Sequence, residues 1–265
     1  MTFITRPARG RLEGLVDRFW LVEESGCPSV PETICPDGRT EIVLHLGDPM
    51  LERGGAKDRR QPQHLLVGQM AAPVTIVPTG RVAMVGARLA PGALHRLLPI
   101  PQDRISGQII ALDSVWERWT RETVDAVGSA ATPATRLAAL ERAFEAIAPE
   151  SSTATATRWL DLAIRRLQAS GGMASIARLA DDLGFSRRQF ERRFREHVGL
   201  PPRLFGRIVR FQRAFQSLGV ESGASIAARC GYADQAHLVH EIKRFAGQTP
   251  TLLAEASGLT AFFRD

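Results

Sequence analysis

"LADDLGFSRRQFERRFREHVGLPP", residues 179–202, packs five arginines into the twelve residues from Ser186 to His197, yet spaces its two phenylalanines, Phe190 and Phe194, four apart. The pattern recurs in "IAARCGYADQAHLVHEIKRFAGQTP", residues 226–250. Each copy opens on an apolar residue and alanine, reaches glycine at the same offset (Gly184, Gly231) and follows it with an aromatic (Phe185, Tyr232). An apolar pair four apart comes next (Phe190/Phe194; Leu238/Ile242), then a closing glycine (Gly199; Gly247) and a proline (Pro201; Pro250). Such self-similarity marks a duplicated structural unit. Ser175 and Ser222 stand where an N-cap serves a first helix. Gly184 and Gly231 stand where a tight turn needs positive φ. Each unit therefore reads as helix, turn, helix, with Phe185 and Tyr232 packed between the helices. That is the outline of a helix-turn-helix, whose second helix enters the DNA major groove.

Helical geometry sorts the charges. With Phe190 and Phe194 inward, residues 188, 192 and 195 lie roughly opposite and 191 flanks them, at ~100° per residue. Arginine pairs bidentately with guanine and glutamate accepts from cytosine, so Arg188, Glu191 and Arg192 are the base-contact candidates. Arg187 at the helix start, Arg193 on a flank and Arg195 are phosphate candidates. In the second unit Gln235, Ala236, His237 and His240 are the base-contact candidates, and Lys243 and Arg244 suit phosphates. Between the copies "PPRLFGRIVRFQRAFQSL", residues 201–218, reads as a long helix with a stripe of Leu204, Ile208, Phe211, Phe215 and Leu218. It would hold the two reading helices at the ~34 Å that puts both on one DNA face.

Charge is segregated in the same way. From Arg158 onward there are 17 basic and 10 acidic residues, against 17 and 18 before it. All the net charge of +6 thus sits in the C-terminal two-fifths, which points to a polyanion-binding module joined to something else. Apolar content of 44% in 265 residues allows one large or two ordinary cores. No run approaches the ~18 apolar residues of a membrane span, and "MTFITRPARGRLEG" is no secretory leader, so a cytoplasmic location is expected. Cys27, Cys35 and Cys230 are three, at unrelated spacings, and fit reduced thiols.

The first 110 residues read as strands. "TEIVLHLGDP" puts Ile42, Leu44 and Leu46 on one face, and "APVTIVPTGRVAMVGARLAPG" reads as two strands about a turn at Pro78–Gly80. "KDRRQPQH" around Arg59 reads as a polar loop. Residues 113–127 and 134–147 read as helices, the second with Leu137, Leu140, Phe144 and Ile147 on one stripe. "ESSTATAT" reads as an interdomain linker. The expected fold class is α+β: a β-rich, barrel-like N-terminal domain with accessory helices over 1–150, a linker at 151–157, an all-α DNA-binding domain over 158–257 and a tail at 258–265.

From about Trp159 to Leu253 the sequence resembles the AraC/XylS family of bacterial transcription regulators. The quoted repeats and the linking-helix segment "RFQRA" carry the likeness. The resemblance implies base contacts at Arg188, Glu191 and Arg192 and at Gln235, Ala236, His237 and His240. His240 stands where arginine is common, and Leu238 and Ile242 replace the usual phenylalanines, which leaves a phosphate clamp as the alternative role of the second unit. "RFWLVE", "CPDGRTEIVLHLGD" and "GARLAPGALHRLL" are loosely similar to a region that such proteins use, often as a cupin-like barrel, to sense a small molecule or to dimerise. The implied partners are double-stranded DNA, a small-molecule effector, a second copy of the chain and RNA polymerase; no membrane, cofactor, metal or catalysis is expected, and no effector-binding residue is assigned. Cys35 and His45 lack the second ligand pair that a zinc site needs. His45, His64 and His95 read as surface or pocket-lining residues, and Phe19 and Trp20 as core. Ada-type DNA-repair proteins join similar helices to a four-cysteine methyl-accepting domain, for which the cysteines here are too few. A DNA-architectural protein without sensing is the other alternative, and the near-neutral N-terminal part argues against it.

Overall fold

The computed structural model describes residues 2–24, 30–53, 58–149 and 153–255. Among the described residues its first half holds ten strands: β1 (Thr2–Pro7), β2 (Val16–Glu23), β3 (Glu32–Ile34), β4 (Thr40–His45), β5 (Leu51–Arg53), β6 (Arg59–Arg60), β7 (His64–Val67), β8 (Val74–Val77), β9 (Ala83–Leu89) and β10 (Ile109–Ala111). They form two antiparallel sheets, a six-stranded one in the order β1-β2-β9-β4-β7-β10 and a four-stranded one in the order β3-β8-β5-β6. Helices α1 (Ala93–Leu97), α2 (Asp113–Gly128) and α3 (Pro133–Ile147) complete this half.

Strand alternation explains the layering. Successive side chains point to opposite faces, so β2 sends Phe19 and Leu21 one way and Trp20 and Val22 the other. Phe19 and Leu21 join Ile42, Leu44, Val85, Ala87 and Leu89 under α2 and α3, where Trp119, Leu137, Leu140 and Phe144 cover them. Trp20 and Val22 join Val43, Leu65 and Met84 on the opposite face, against Met50 and against Val74 and Ile76 of the smaller sheet. The six-stranded sheet is thus a middle layer, fatty on both faces. The segment around Arg59, expected as a loop, instead supplies the two-residue β6 paired to β5, with both arginines exposed. An edge strand tolerates such charges, since only its backbone is needed.

The second half is helical: α4 (Thr153–Ala169), α5 (Ile176–Asp182), α6 (Arg187–Val198), α7 (Pro202–Phe215), α8 (Gly223–Arg229), α9 (Gln235–Ala246) and α10 (Pro250–Glu255). A sheet-rich N-terminal part followed by a helical part is the expected α+β architecture. The Ser/Thr/Ala segment, read as a linker, runs into α4 from Thr153, since threonine and alanine continue a helix whose later turns bury Leu160, Ile164 and Leu167. Residues 151 and 152, Cys27 and the expected tail at 258–265 lie outside the described residues.

Two cores share α7. Leu160, Leu167, Leu179, Phe190, Phe194, Val198 and Phe205 form one. Ile208, Phe211, Phe215, Ile226, Tyr232, Leu238, Ile242 and Phe245 form the other. The expected stripe omitted Phe205, which is fully buried against Phe194 at 5.7 Å between ring centroids.

Candidate nucleic-acid interface

Both units carry the local signals read from the sequence. Ser175 accepts the Arg178 N–H at the start of α5, and Ser222 accepts the Ser225 N–H at the start of α8. Gly184 and Gly231 have φ of 73° and 70°, the conformation that only glycine adopts without strain. The second helices are capped too. Ser186 and Gln189 form a reciprocal capping box on α6, and Asp234 Oδ1 accepts the His237 N–H at 2.7 Å on α9. Capping leaves each helix N-terminus fixed and electropositive, the end by which a reading helix meets DNA.

The faces fall as helical periodicity requires. Phe190, Phe194 and Val198 are buried, while Arg187, Arg188, Arg192, Arg193 and Arg195 are exposed and Glu191 is half-buried. Arg188 lies on the solvent face. Glu191 accepts Arg187 Nε–H at 2.9 Å, and Arg192 lies 3.8 Å from Glu196. Ion pairs this exposed are worth little and can be exchanged for contacts to bases or phosphates. Arg193 stacks over Phe185 at 5.2 Å. On α9, Gln235, Ala236, His237, His240, Lys243 and Arg244 are all exposed. His237 is locally engaged: its Nδ1 accepts the Ala233 N–H at 3.3 Å and its ring meets Tyr232 edge-on.

Sequence reasoning missed three arginines. Arg203, Arg207 and Arg210 of α7 line a groove between the two units, together with Arg187, His237 and Arg244. Their spacing of four and three along one helix was the available signal, since it places them on one face beside the apolar stripe. Arg207 is held by Glu241, and Arg210 reaches the carbonyls of Gly172 and Gly231. Arg203 stays exposed.

The sheet half grips the C-terminal end of α6. Arg195, on the same helical face as Arg188 and Arg192, reaches across to Asp103 of the sheet half at 3.2 Å. His197 packs on His95 of α1 with ring centroids 4.1 Å apart and on Trp159 at 5.5 Å. Burial lowers the His197 pKa below its ordinary 6.5, and the neighbouring His95 lowers it further. A histidine depressed in the folded chain is protonated more readily in the unfolded one, so stability falls as pH drops below 6.5. Replacing His197 with glutamine should flatten part of that fall in urea midpoints measured across acidic pH; an unchanged slope would exclude this histidine pair as a contributor.

Residues 179–256 match a family model described as a helix-turn-helix domain, and residues 5–111 match a domain of unknown function, DUF6597. No curated protein matches the chain. Among solved structures, the chain is similar to a transcriptional regulator with an AraC-type DNA-binding domain from Chromobacterium violaceum, at 27% identity over 38% of this chain and 94% of that one, with a TM-score of 0.36. It is similar to a DNA-binding transcriptional dual regulator from Escherichia coli K-12, at 22% identity over 36% of this chain and 94% of that one, with a TM-score of 0.31. ToxT from Vibrio cholerae aligns over 91% of this chain and 98% of its own, at 9% identity and a TM-score of 0.47. The C-terminal part of the chain is an AraC-type helix-turn-helix domain, the type found in DNA-binding transcription regulators. Among the described residues no helix is long and apolar enough to cross a membrane, and no group of three or more His, Cys, Asp or Glu is placed to hold a metal.

Proposed function

We propose that this chain is a sequence-specific, cytoplasmic transcription regulator that reads DNA with two helix-turn-helix units and responds to a small molecule through its N-terminal half. One observation carries the reading: two capped helices, joined by α7, present exposed polar and basic faces while their apolar faces close two separate cores. Arg188, Glu191 and Arg192 are the base readers of the first unit, and Gln235, Ala236, His237 and His240 those of the second. Arg187, Arg193, Arg195, Lys243 and Arg244 are the phosphate contacts, with Arg195 available once it leaves Asp103. The domains divide near residue 150, and contacts to a second copy and to RNA polymerase belong to the same proposal. No residue is assigned to catalysis.

The test begins with a duplex selected by the protein from a randomised pool. Arg192→Ala should cost ~1–3 kcal/mol on that duplex and relax discrimination at one base pair. Lys243→Ala should weaken selected and scrambled duplexes alike and lower the salt slope by about one. Equal losses on both duplexes from Arg192→Ala would remove it from the base-reading set.

A further inference from the structure

Between the two sheets lies a cavity of about 100 Å³. Its walls are mainly Trp20, Val43, Met50, Leu65, Met70 and Met84. An apolar cavity of about 150 Å³ holds benzene, so this one suits at most a single small ring, and methionines adapt readily to an irregular guest. Strand alternation on β4 supplies its polar side: Ile42 and Leu44 point to the helices, whereas Glu41, Val43 and His45 point into the cavity. His45 Nε2 lies 3.2 Å from Gln61 Oε1, and burial lowers the histidine pKa, which keeps the ring neutral. Burial pushes Glu41 up to about 7, with Asp37 reinforcing and Arg88 opposing the shift. The cations at the rim are engaged, Arg39 with Asp17 and Arg88 with Asp37 and Glu41. An anion would enter beside Glu41 and Asp37, and a cation beside Arg39 and Arg88. The polar side offers acceptors to a hydrogen-bond donor without offering an uncompensated charge.

The same cavity shares a wall with the helical half. Ile34, Cys35, Pro36, Asp37 and Arg39 line it on one side. On the other, Cys35 packs in the core of Ile208 and Phe211, and Gln212 Nε2 donates to the Pro36 carbonyl at 2.6 Å. Gly38, at φ 77°, lies so close to α7 that an added Cβ would sit 2.9 Å from the Phe205 ring. Gln69 donates to the Gly38 carbonyl at 2.9 Å, and its neighbour Met70 faces the cavity. A shift of this segment reaches α7, the helix on which both reading units are built.

We infer that the cavity takes a small, uncharged, largely apolar molecule of one-ring size with a hydrogen-bond donor, and that residues 34–39 carry its occupancy to α7. The inference rests on the sensing role proposed above, and it gives that role a ligand class and a route. A ligand shifts the arrangement only by its differential affinity for the two wall positions.

The full chain is titrated by calorimetry with phenol, benzylamine and benzoate, and α7 is followed by amide hydrogen exchange. Phenol should bind saturably, with the charged pair about tenfold weaker or worse, because a buried unpaired charge is costly. Val43→Phe should abolish phenol binding by filling the space, and the milder Val43→Ile should weaken it should the larger residue prevent folding. Phenol should change exchange over residues 202–215 in the natural chain, and Gln212→Ala should bind phenol equally well but lose that change. Benzoate or benzylamine binding as tightly as phenol, or no saturable binding of any, would overturn the ligand class. Phenol binding without a change in α7 would overturn the route. None of these readouts uses DNA, so a failure to select any duplex would count against the regulator reading alone.

Discussion

Phe194→Ala should lower the stability of the helical half by about 3–5 kcal/mol, the range for deleting a buried ring where neighbours collapse only partly. Phe194 is fully buried between Phe190 and Phe205, each with ring centroids 5.7 Å away. It therefore joins α6, the second helix of the first helix-turn-helix unit, to the linking helix α7. Because each half has its own core, a single unfolding transition is not assumed. Hydrogen exchange of α5 and α6 amides reads the local loss directly. Phe194→Leu should retain most of the packing and lose far less. Binding to the selected duplex should fall with Phe194→Ala even though Arg188 and Arg192 are untouched, since the helix carrying them no longer has a fixed seat. A loss below about 1 kcal/mol, within the usual range of surface changes, would mean that this ring does not seat the helix.

The two helix-turn-helix units were legible because their signals are local. A cap, a turn glycine and an apolar pair four apart fall within a dozen residues, and helical geometry then fixes which arginines face out. Strands were legible where alternation was strong, as at Ile42 and Leu44, and Phe19 was rightly assigned to a core. Trp20, one residue along, lines the cavity as well as the core, because the middle sheet is covered on both faces and burial alone does not distinguish them. His45 proved a buried cavity residue, whereas His95 became a contact to α6. Contacts between distant segments left no trace in spacing. Arg195 and Asp103, Gln212 and Pro36, and His95 and His197 are each brought together only by the docking of the two halves. Local reasoning gave α6 a free outer face along its length, and the structure shows that its last turns are held by the sheet half.

Arg207→Ala should cost about 3 kcal/mol, the lower end of the range for breaking a buried ion pair from one side. Glu241 is only 4% exposed, and Arg207 Nε donates to its Oε2 at 3.0 Å while Nη2 donates to Oε1. Burial raises the Glu241 pKa, but the hydrogen bonds and charge of Arg207 outweigh it and leave the carboxyl below its ordinary 4.5. The folded carboxyl thus holds its proton less tightly than the unfolded one. The stability it contributes is present above 4.5 and is lost as pH falls through the folded pKa. Arg207→Lys keeps the charge but not the planar fork, so it should recover only part of the loss. Arg207→Met combined with Glu241→Leu removes both charges and should be less damaging than Arg207→Ala, which strands a buried carboxylate. The pair ties α9 to α7, so its rupture frees α9 to change angle. Affinity for the selected duplex should then fall with Arg207→Ala and recover with the double change. Equal losses from the two variants would instead identify Arg207 as a direct phosphate contact in the groove it shares with Arg187 and Arg244.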